Sequence, residues 1–275
     1  MDKGILYVCS TPIGNLEDIT LRVLRILKEV DLIAAEDTRH TLKLLNHYGI
    51  KKPLISYHEH NKGIRENQII EMLLSGKNIA LVSDAGMPGI SDPGEDLIKK
   101  AIEHGIKIVP LPGPSAFVTA LVVSGLPTNR FVFEGFLPKK KSERIRFLNI
   151  LKNDSRTLIF YEAPHRLLKL LEDIYEVLGN RRIVLARELT KIHEEIFRGD
   201  VKTLLDIVRE NGPKGEMVLV VEGYKGEAVK DESVNVRELV KKYMEEGLSK
   251  KEAIKKVSVD LGISKRDVYG QSLDL

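Results

Sequence analysis

Apolar and polar positions change rhythm along the chain in a regular way. "ILYVCS" (5–10), "LIAAED" (32–37), "PLISYH" (53–58), "IALVSD" (79–84) and "IKIVPL" (106–111) are short β-branched runs that read as strands. Between them apolar residues recur at helical spacing. Helix 21–30 can be capped by Asp18 or Thr20, helix 39–48 stops at Gly49, helix 65–75 follows, and helix 94–104 stops at Gly105. "SAFVTALVVSG" (115–125) is almost wholly apolar and reads as a buried helix. Strands without polar alternation are buried on both faces, and parallel neighbours need crossovers. Strand, loop and helix repeated five times therefore predict a parallel-dominated α/β sheet.

"GLPTNR" (125–130) breaks the pattern and divides an N-terminal α/β domain, 1–126, from a second, 127–226. The second set has strands at 131–136, 157–162, 182–188, 193–199 and 215–223, with helices at 142–152, 165–178 and 202–211. Strands 182–188 and 193–199 are too close for a crossover, so they pair antiparallel and this sheet is mixed. Beyond Gly226 comes polar "EAVKDES", then three short helices in a tail, 227–275. "EEGLSKKEA" and "DLGISKRDV" each give a glycine stop, one apolar residue and a serine cap, the layout of a helix-turn-helix. Residues 249–266 carry six basic residues against two acidic, so these helices could face phosphate. A plain helical appendage reads equally well.

Composition narrows the classes. Apolar residues are 43% of 275, enough for a substantial core, and charged residues are 30% with both signs mixed. The net charge of +3 is compatible with a nucleic-acid partner but does not argue for one. One cysteine, Cys9, excludes a disulfide framework and multi-cysteine zinc, and it reads as a small buried strand residue. No apolar run has the length of a membrane span and "MDKGILYVCS" lacks a signal layout, so a cytoplasmic protein with no membrane partner is expected.

The densest chemistry lies in "SDAGMPGISDPG" (83–94). A phosphate loop needs GxxxxGK[ST] or GxGxxG, and Gly86, Gly89 and Gly94 have neither spacing. Asp84 and Asp92 alone are a poor metal site. The loop leaves the carboxyl end of a strand, where open α/β sheets bind ligands. A carboxylate followed by bare amides suits a small organic ligand such as S-adenosylmethionine. Asp92 and Pro93 read as the cap and first position of helix 94–104.

"STPIGNLEDIT", "EDTR", "SYHEHN", "SDAGMPGISDPG", "PLPGPSA", "GFLPKK", "YEAPHR", "RELTKIHEE" and "GEMVLVVEG" fall in order between about 5 and 223. Together they resemble the tetrapyrrole methylase superfamily, and within it the branch that methylates a cytidine ribose 2′-hydroxyl in small-subunit ribosomal RNA. The resemblance implies two α/β domains, an S-adenosyl-L-methionine methyl donor in the cleft between them, and a homodimer acting on ribosomal RNA or the small subunit. It places Asp84, Ala85, Gly86, Ile90, Ser115 and Ala116 at the donor from the first domain, with Pro12 as a further contact. From the second domain it places Tyr161, Leu189, Glu216 and Met217 there, although Leu189 and Met217 fit ordinary core packing as well.

The acceptor side is read from the residues. Glu36, Asp37 and Arg39 of "EDTR" meet at a strand end, where carboxylates beside an arginine can activate a hydroxyl or grip a phosphate. A helix cap by Asp37 is the plainer alternative. His58, with His60 two residues on, lacks a third metal ligand, so substrate contact or solvation is expected. "EAPHR" puts Glu162, His165 and Arg166 at the mouth of the second domain. Lys139, Lys140 and Arg144 belong to "LPKKKSERIR" (137–146), five basic residues against one acidic, a phosphate grip in an RNA enzyme and otherwise a solvated helix start. Two other functions stay open. A tetrapyrrole or corrinoid C-methyltransferase would need neither the basic run nor the tail, and a non-enzymatic RNA adaptor would not need an intact "SDAGMPG".

Overall fold

The computed structural model describes residues 2–212, 214–226, 236–260 and 264–273. Two compact units result, Met1–Lys152 with Arg156–Glu222, and Asn153–Ser155 with Gly223–Leu275.

The first sheet of the main unit holds β1 (Ile5–Cys9), β2 (Leu32–Ala35), β3 (Leu54–Ser56), β4 (Ile79–Val82) and β5 (Lys107–Leu111). Its order is β3-β2-β4-β1-β5 with every pairing parallel. The two-residue period sorts side chains between two cores. Cys9, Ile33, Ala35, Ala80 and Val82 pack under α1 (Leu21–Glu29) and α2 (Thr38–His47). Leu6, Ala34, Ile79 and Leu81 pack under α3 (Lys62–Leu74) and α4 (Glu95–Glu103). The helices after neighbouring β1 and β4 thus lie on opposite faces, which opens a crevice at the strands' carboxyl ends. Thr20 caps α1 by accepting from the Val23 amide at 3.2 Å.

The second sheet contains β6 (Phe131–Phe136), β7 (Thr157–Glu162), β8 (Arg182–Arg187), β9 (Glu195–Asp200) and β10 (Met217–Val221). In the order β6-β7-β10-β8-β9, β6 and β7 are parallel and the rest antiparallel. On one face α6 (Lys141–Leu151), α7 (Pro164–Leu178) and α8 (Val201–Asn211) bury Leu148, Leu171, Ile174 and Leu204 against Leu158, Phe160 and Leu219. The other face receives α5 (Ala116–Ser124), whose Ala120 and Leu121 meet Ile159, Val218 and Val220. This helix leaves β5 of the first sheet and lies on the second. It was expected to be buried, but only one side is. Val118 and Val122 stay exposed, at 45% and 70%.

A second correction concerns the glycine loop. Gly94, not Asp92, is the residue before α4, with φ 155° and no side-chain cap. The loop folds back so tightly that a Cβ on Gly94 would lie 2.9 Å from the Gly89 nitrogen. Glu95 and Asp96 in the first turn serve the helix dipole instead.

The smaller unit carries α9 (Val236–Glu245), α10 (Lys250–Asp260) and α11 (Lys265–Gln271) around Val240, Ala253, Val257 and Val268. Ser249 and Glu252 form a capping box, and Ser264 caps α11 by accepting from the Asp267 amide. The polar stretch "EAVKDES" and the glycine stop at Gly262 lie outside the described residues.

Candidate functional site

Three strand ends of the first sheet are laced together. The amides and carbonyls of Thr11 and Gly86 exchange hydrogen bonds at 2.9 and 3.0 Å. Thr11 Oγ1 donates to the Ser83 carbonyl at 2.9 Å, and Ser10 Oγ to the Pro114 carbonyl at 2.7 Å. Gly86 needs its φ of 78° to make this bridge. The expected pair of bare loop amides is therefore corrected, because the Gly86 N–H is committed to Thr11.

Beside this lacing opens a cavity of about 350 Å³. That size falls at the small end of ligand sites. Ala85, Gly86, Ile90, Ser115 and Ala116 line it from the first sheet's loops, and Tyr161, Leu189, Glu216 and Met217 from the second sheet. Two expected members, Pro12 and Asp84, are not on its wall. Ile13 takes the place of Pro12. Asp84 turns away to accept from the Asp37 amide at 3.1 Å. Also on the wall are Met87, Ser91, Asp92, Phe136, Glu162, Ala163, Pro164, Ala186 and Val218. Asp92 escaped the sequence reading because a helix-capping role accounted for it.

The second wall is stiff. Tyr161 packs edge-on against Phe133 and Phe136, with ring centroids 4.9 and 5.5 Å away. Burial pushes its phenol up to about 12. Glu188 and Thr190 hold left-handed φ values of 51° and 67° on either side of Leu189. Such conformations cost about 1–3 kcal/mol each and cluster at ligand sites. Lys191 holds them by binding both Glu188 and Glu216 at 3.1 Å.

The acid groups divide by environment. Asp37 caps α2, accepting the Arg39 amide at 2.8 Å and its guanidinium at 2.7 Å. These bonds hold its carboxyl well below the usual range, which makes it a weak proton acceptor. The expected Glu36–Asp37–Arg39 triad is thus split. Arg39 is spent on Asp37, while Glu36 accepts from the Asp84 amide at 3.2 Å. Burial raises the Glu36 carboxyl. Asp92 is raised to about 7, by burial and then by the negative charges of Glu36 and Asp84. Glu162 accepts from the Ala163 amide and Arg166, while its buried Oε2 has no partner. Burial raises it too. Cys9 is fully buried and its thiol is pushed up to about 12, so it is no nucleophile at neutral pH.

Two of the residues expected to grip RNA face inward. Arg144 is 5% exposed, bonds Asp173 at 2.5 Å and donates to the carbonyls of Pro138 and Lys139. Arg166 bonds Glu162 and donates to the Leu137 carbonyl at 2.7 Å. Both are satisfied by protein and cannot reach a phosphate. They fix the loop after Phe136 instead. On that loop Lys139 and Lys140 stay exposed, and so does His165 beside the cavity residue Pro164. His58 is half-buried, its Nε2 at 3.2 Å from Asn61 Nδ2 and its Nδ1 buried without a partner.

A crevice at the switch point of one parallel sheet, closed by a mixed sheet, defines a class. The description Tetrapyrrole (Corrin/Porphyrin) Methylases matches residues 5–205, and the chain belongs to that family of S-adenosyl-L-methionine-dependent methyltransferases. It is 52% identical over 273 residues to "Ribosomal RNA small subunit methyltransferase I" of Halalkalibacterium halodurans, covering 98% of this chain and 94% of that one. The protein of the same name from Bacillus subtilis is 50% identical over 273 residues, with the same coverage of each chain. Among solved structures, a diphthine synthase aligns with TM-score 0.62 at 16% identity, over 80% of this chain and 90% of that one. Uroporphyrin-III-C-methyltransferase from Thermus thermophilus aligns with TM-score 0.58 at 21% identity, over 80% and 94%. At these identities the structures establish the fold alone.

The cavity suits the methyl donor. Isoleucine, leucine, methionine and valine side chains offer an apolar slot for a flat heterocycle, through Ile13, Leu189, Met217 and Val218. The first amides of α5 can receive a carboxylate. The unpartnered Glu162 Oε2 can accept from an ammonium or hydroxyl group.

Proposed function

We propose that this chain methylates the ribose 2′-hydroxyl of a cytidine in small-subunit ribosomal RNA. The observation that carries the reading is continuity between cavity and basic loop. Phe136 lines the cavity, and the chain that follows presents Lys139 and Lys140 to solvent. Phosphate contacts of this kind position a polynucleotide without reading its sequence. The two relatives at about half identity, matched over nearly their whole length, carry names that fit.

The bound donor would supply a methyl group activated on a sulfonium. Ala85, Ser115, Ala116, Leu189, Met217 and Glu162 would hold it, while Lys139, Lys140 and His165 would guide the RNA backbone. The chain's main task is alignment, which is worth up to roughly 7–11 kcal/mol in favourable cases. A division into domains 1–126 and 127–226, a homodimer and a cytoplasmic location belong to the same reading. Light scattering of the purified chain tests the dimer.

Labelled donor incubated with naked ribosomal RNA or with small subunits tests the activity. Label on a cytidine ribose oxygen supports it. Label only on base atoms, or only on an added porphyrinoid, overturns it.

A further inference from the structure

The cavity wall carries three carboxylates, Asp92, Glu162 and Glu216. Glu162 is paired with Arg166, and Glu216 with Lys191. Asp92 faces the hydroxyl of Ser83, the carboxylates of Glu36 and Asp84, and the phenol of Tyr161, with no cation near enough to act on it among the described residues. The Ser83 hydroxyl donates within the same loop, at 3.4 Å to the carbonyls of Ala85 and Gly86. Ser83 itself is anchored, since its carbonyl accepts from Thr11 and its side chain is 2% exposed. The neighbouring residue Ser91 is held at φ 63°, a left-handed conformation that strains a non-glycine residue. The buried, unpartnered Glu162 Oε2 independently marks the same cavity as a place that receives a ligand's donor group.

We propose that Asp92 is the proton acceptor of the transfer, a catalytic residue touching the acceptor hydroxyl. This rests on the O-methylation reading given above. The hydroxyl oxygen gains the methyl carbon through a lone pair while its O–H proton passes to an Asp92 carboxylate oxygen. The electron pair of the broken carbon–sulfur bond stays on the donor's sulfur, which becomes a neutral thioether. No further reactant is required. A carboxylate at its ordinary acidity would be a feeble base for a ribose hydroxyl. Burial and the two nearby negative charges bring Asp92 to about 7, matched to a reaction near neutral pH.

Single-turnover methyl transfer to small subunits is measured against pH for the wild type and for Asp92→Asn, with donor affinity by calorimetry. Carbon-13 titration of aspartate carboxyls in the full-length wild type follows Asp92 directly, without substrate. The expected result is a carboxyl titrating near pH 7. Asp92→Asn should keep donor affinity within threefold, lose about 10²–10⁴-fold in rate, and lose the rise in rate between roughly pH 6 and 8. An Asp92 titrating in the ordinary aspartate range overturns the proposal. So does a variant within threefold of wild-type rate, or one whose rate loss follows lost donor affinity. A wild type that leaves ribose oxygens unlabelled overturns the substrate reading instead, and the carboxyl titration separates the two failures.

Discussion

Glu36 and Asp84 clasp the ends of β2 and β4. The Asp84 amide donates to Glu36 Oε2 at 3.2 Å, and Asp84 Oδ1 accepts from the next amide, that of Asp37, at 3.1 Å. The clasp therefore sets where the loop starting at Asp84 departs. Its negative charge also reaches Asp92. Glu36→Gln keeps an acceptor for the Asp84 amide and removes the charge. The carboxyl titration of Asp92 should then move to lower pH. A midpoint that stays put would show that the Glu36 charge does not act on Asp92.

Asp92 also links stability to pH. Its folded-state value, about 7, lies above the ordinary aspartate value of 3.8, so the folded chain keeps a proton the unfolded chain has released. Its contribution is full below pH 4 and is lost as pH rises through 7. Against Asp92→Asn, the wild type should lose about 1–2 kcal/mol between pH 4 and 8, after allowance for solvent screening of a half-exposed group. Urea unfolding at the two pH values measures the difference. A constant gap would contradict it.

Arg144 and Asp173 are buried together, at 5% and 2% exposure. Removing one partner leaves an uncompensated buried charge, a loss of about 3–5 kcal/mol. Asp173→Ala should lower the melting temperature accordingly, and Arg144→Met with Asp173→Leu should recover much of it. The double variant should still bind RNA less tightly, because Arg144 no longer holds the carbonyls of Pro138 and Lys139. Full RNA affinity would show that the loop keeps its shape unaided.

Gly94→Ala tests the folded-back loop. The new Cβ would sit 2.9 Å from the Gly89 nitrogen, a backbone atom that cannot swing aside. Overpacking of this sort costs about 1–3 kcal/mol. Because Asp92 lies two residues upstream, the rate of methyl transfer should fall together with stability. A stable variant at full rate would mean that the loop has another low-energy path.

Lys139→Ala and Lys140→Ala should each weaken RNA binding. The slope of log affinity against log salt should shrink by about 0.7–0.9 for each phosphate that the protein no longer neutralises. Donor affinity should be unchanged. Filter binding across salt concentrations separates this from a folding defect, which would also disturb calorimetry with the donor.

Much of the scaffold was legible from periodicity. β4 and β10 are continuous apolar runs because both faces are covered. The antiparallel β8–β9 pair followed from a connection too short for a crossover. What escaped was long-range. Arg144 sits in a basic run that looks solvated until Asp173, 29 residues away, is folded onto it, and Arg166 of "EAPHR" looks open until the Leu137 carbonyl, also 29 residues away, meets it. Asp92 before a proline and a glycine looks like a cap, and only the approach of Gly94 to Gly89 moves the helix start past it. The resemblance carried Asp84 to the cavity, but the backbone of Asp37 claims that carboxylate. Local pattern reports which face a residue presents to its own element. It does not report which backbone from another element meets it there.

The path of α5 has a consequence for how the main unit comes apart. One rod begins at Ser115 on the first sheet's cavity wall and ends packed on β7 and β10 of the second. Neither sheet can melt without stripping a face of the other, so the two should share a single unfolding transition. A donor touching the start of that rod would then act on the whole transition. At a hundred times its dissociation constant it adds about 2.7 kcal/mol. Slowed amide exchange should appear along Ile159 and Val220, which do not line the cavity.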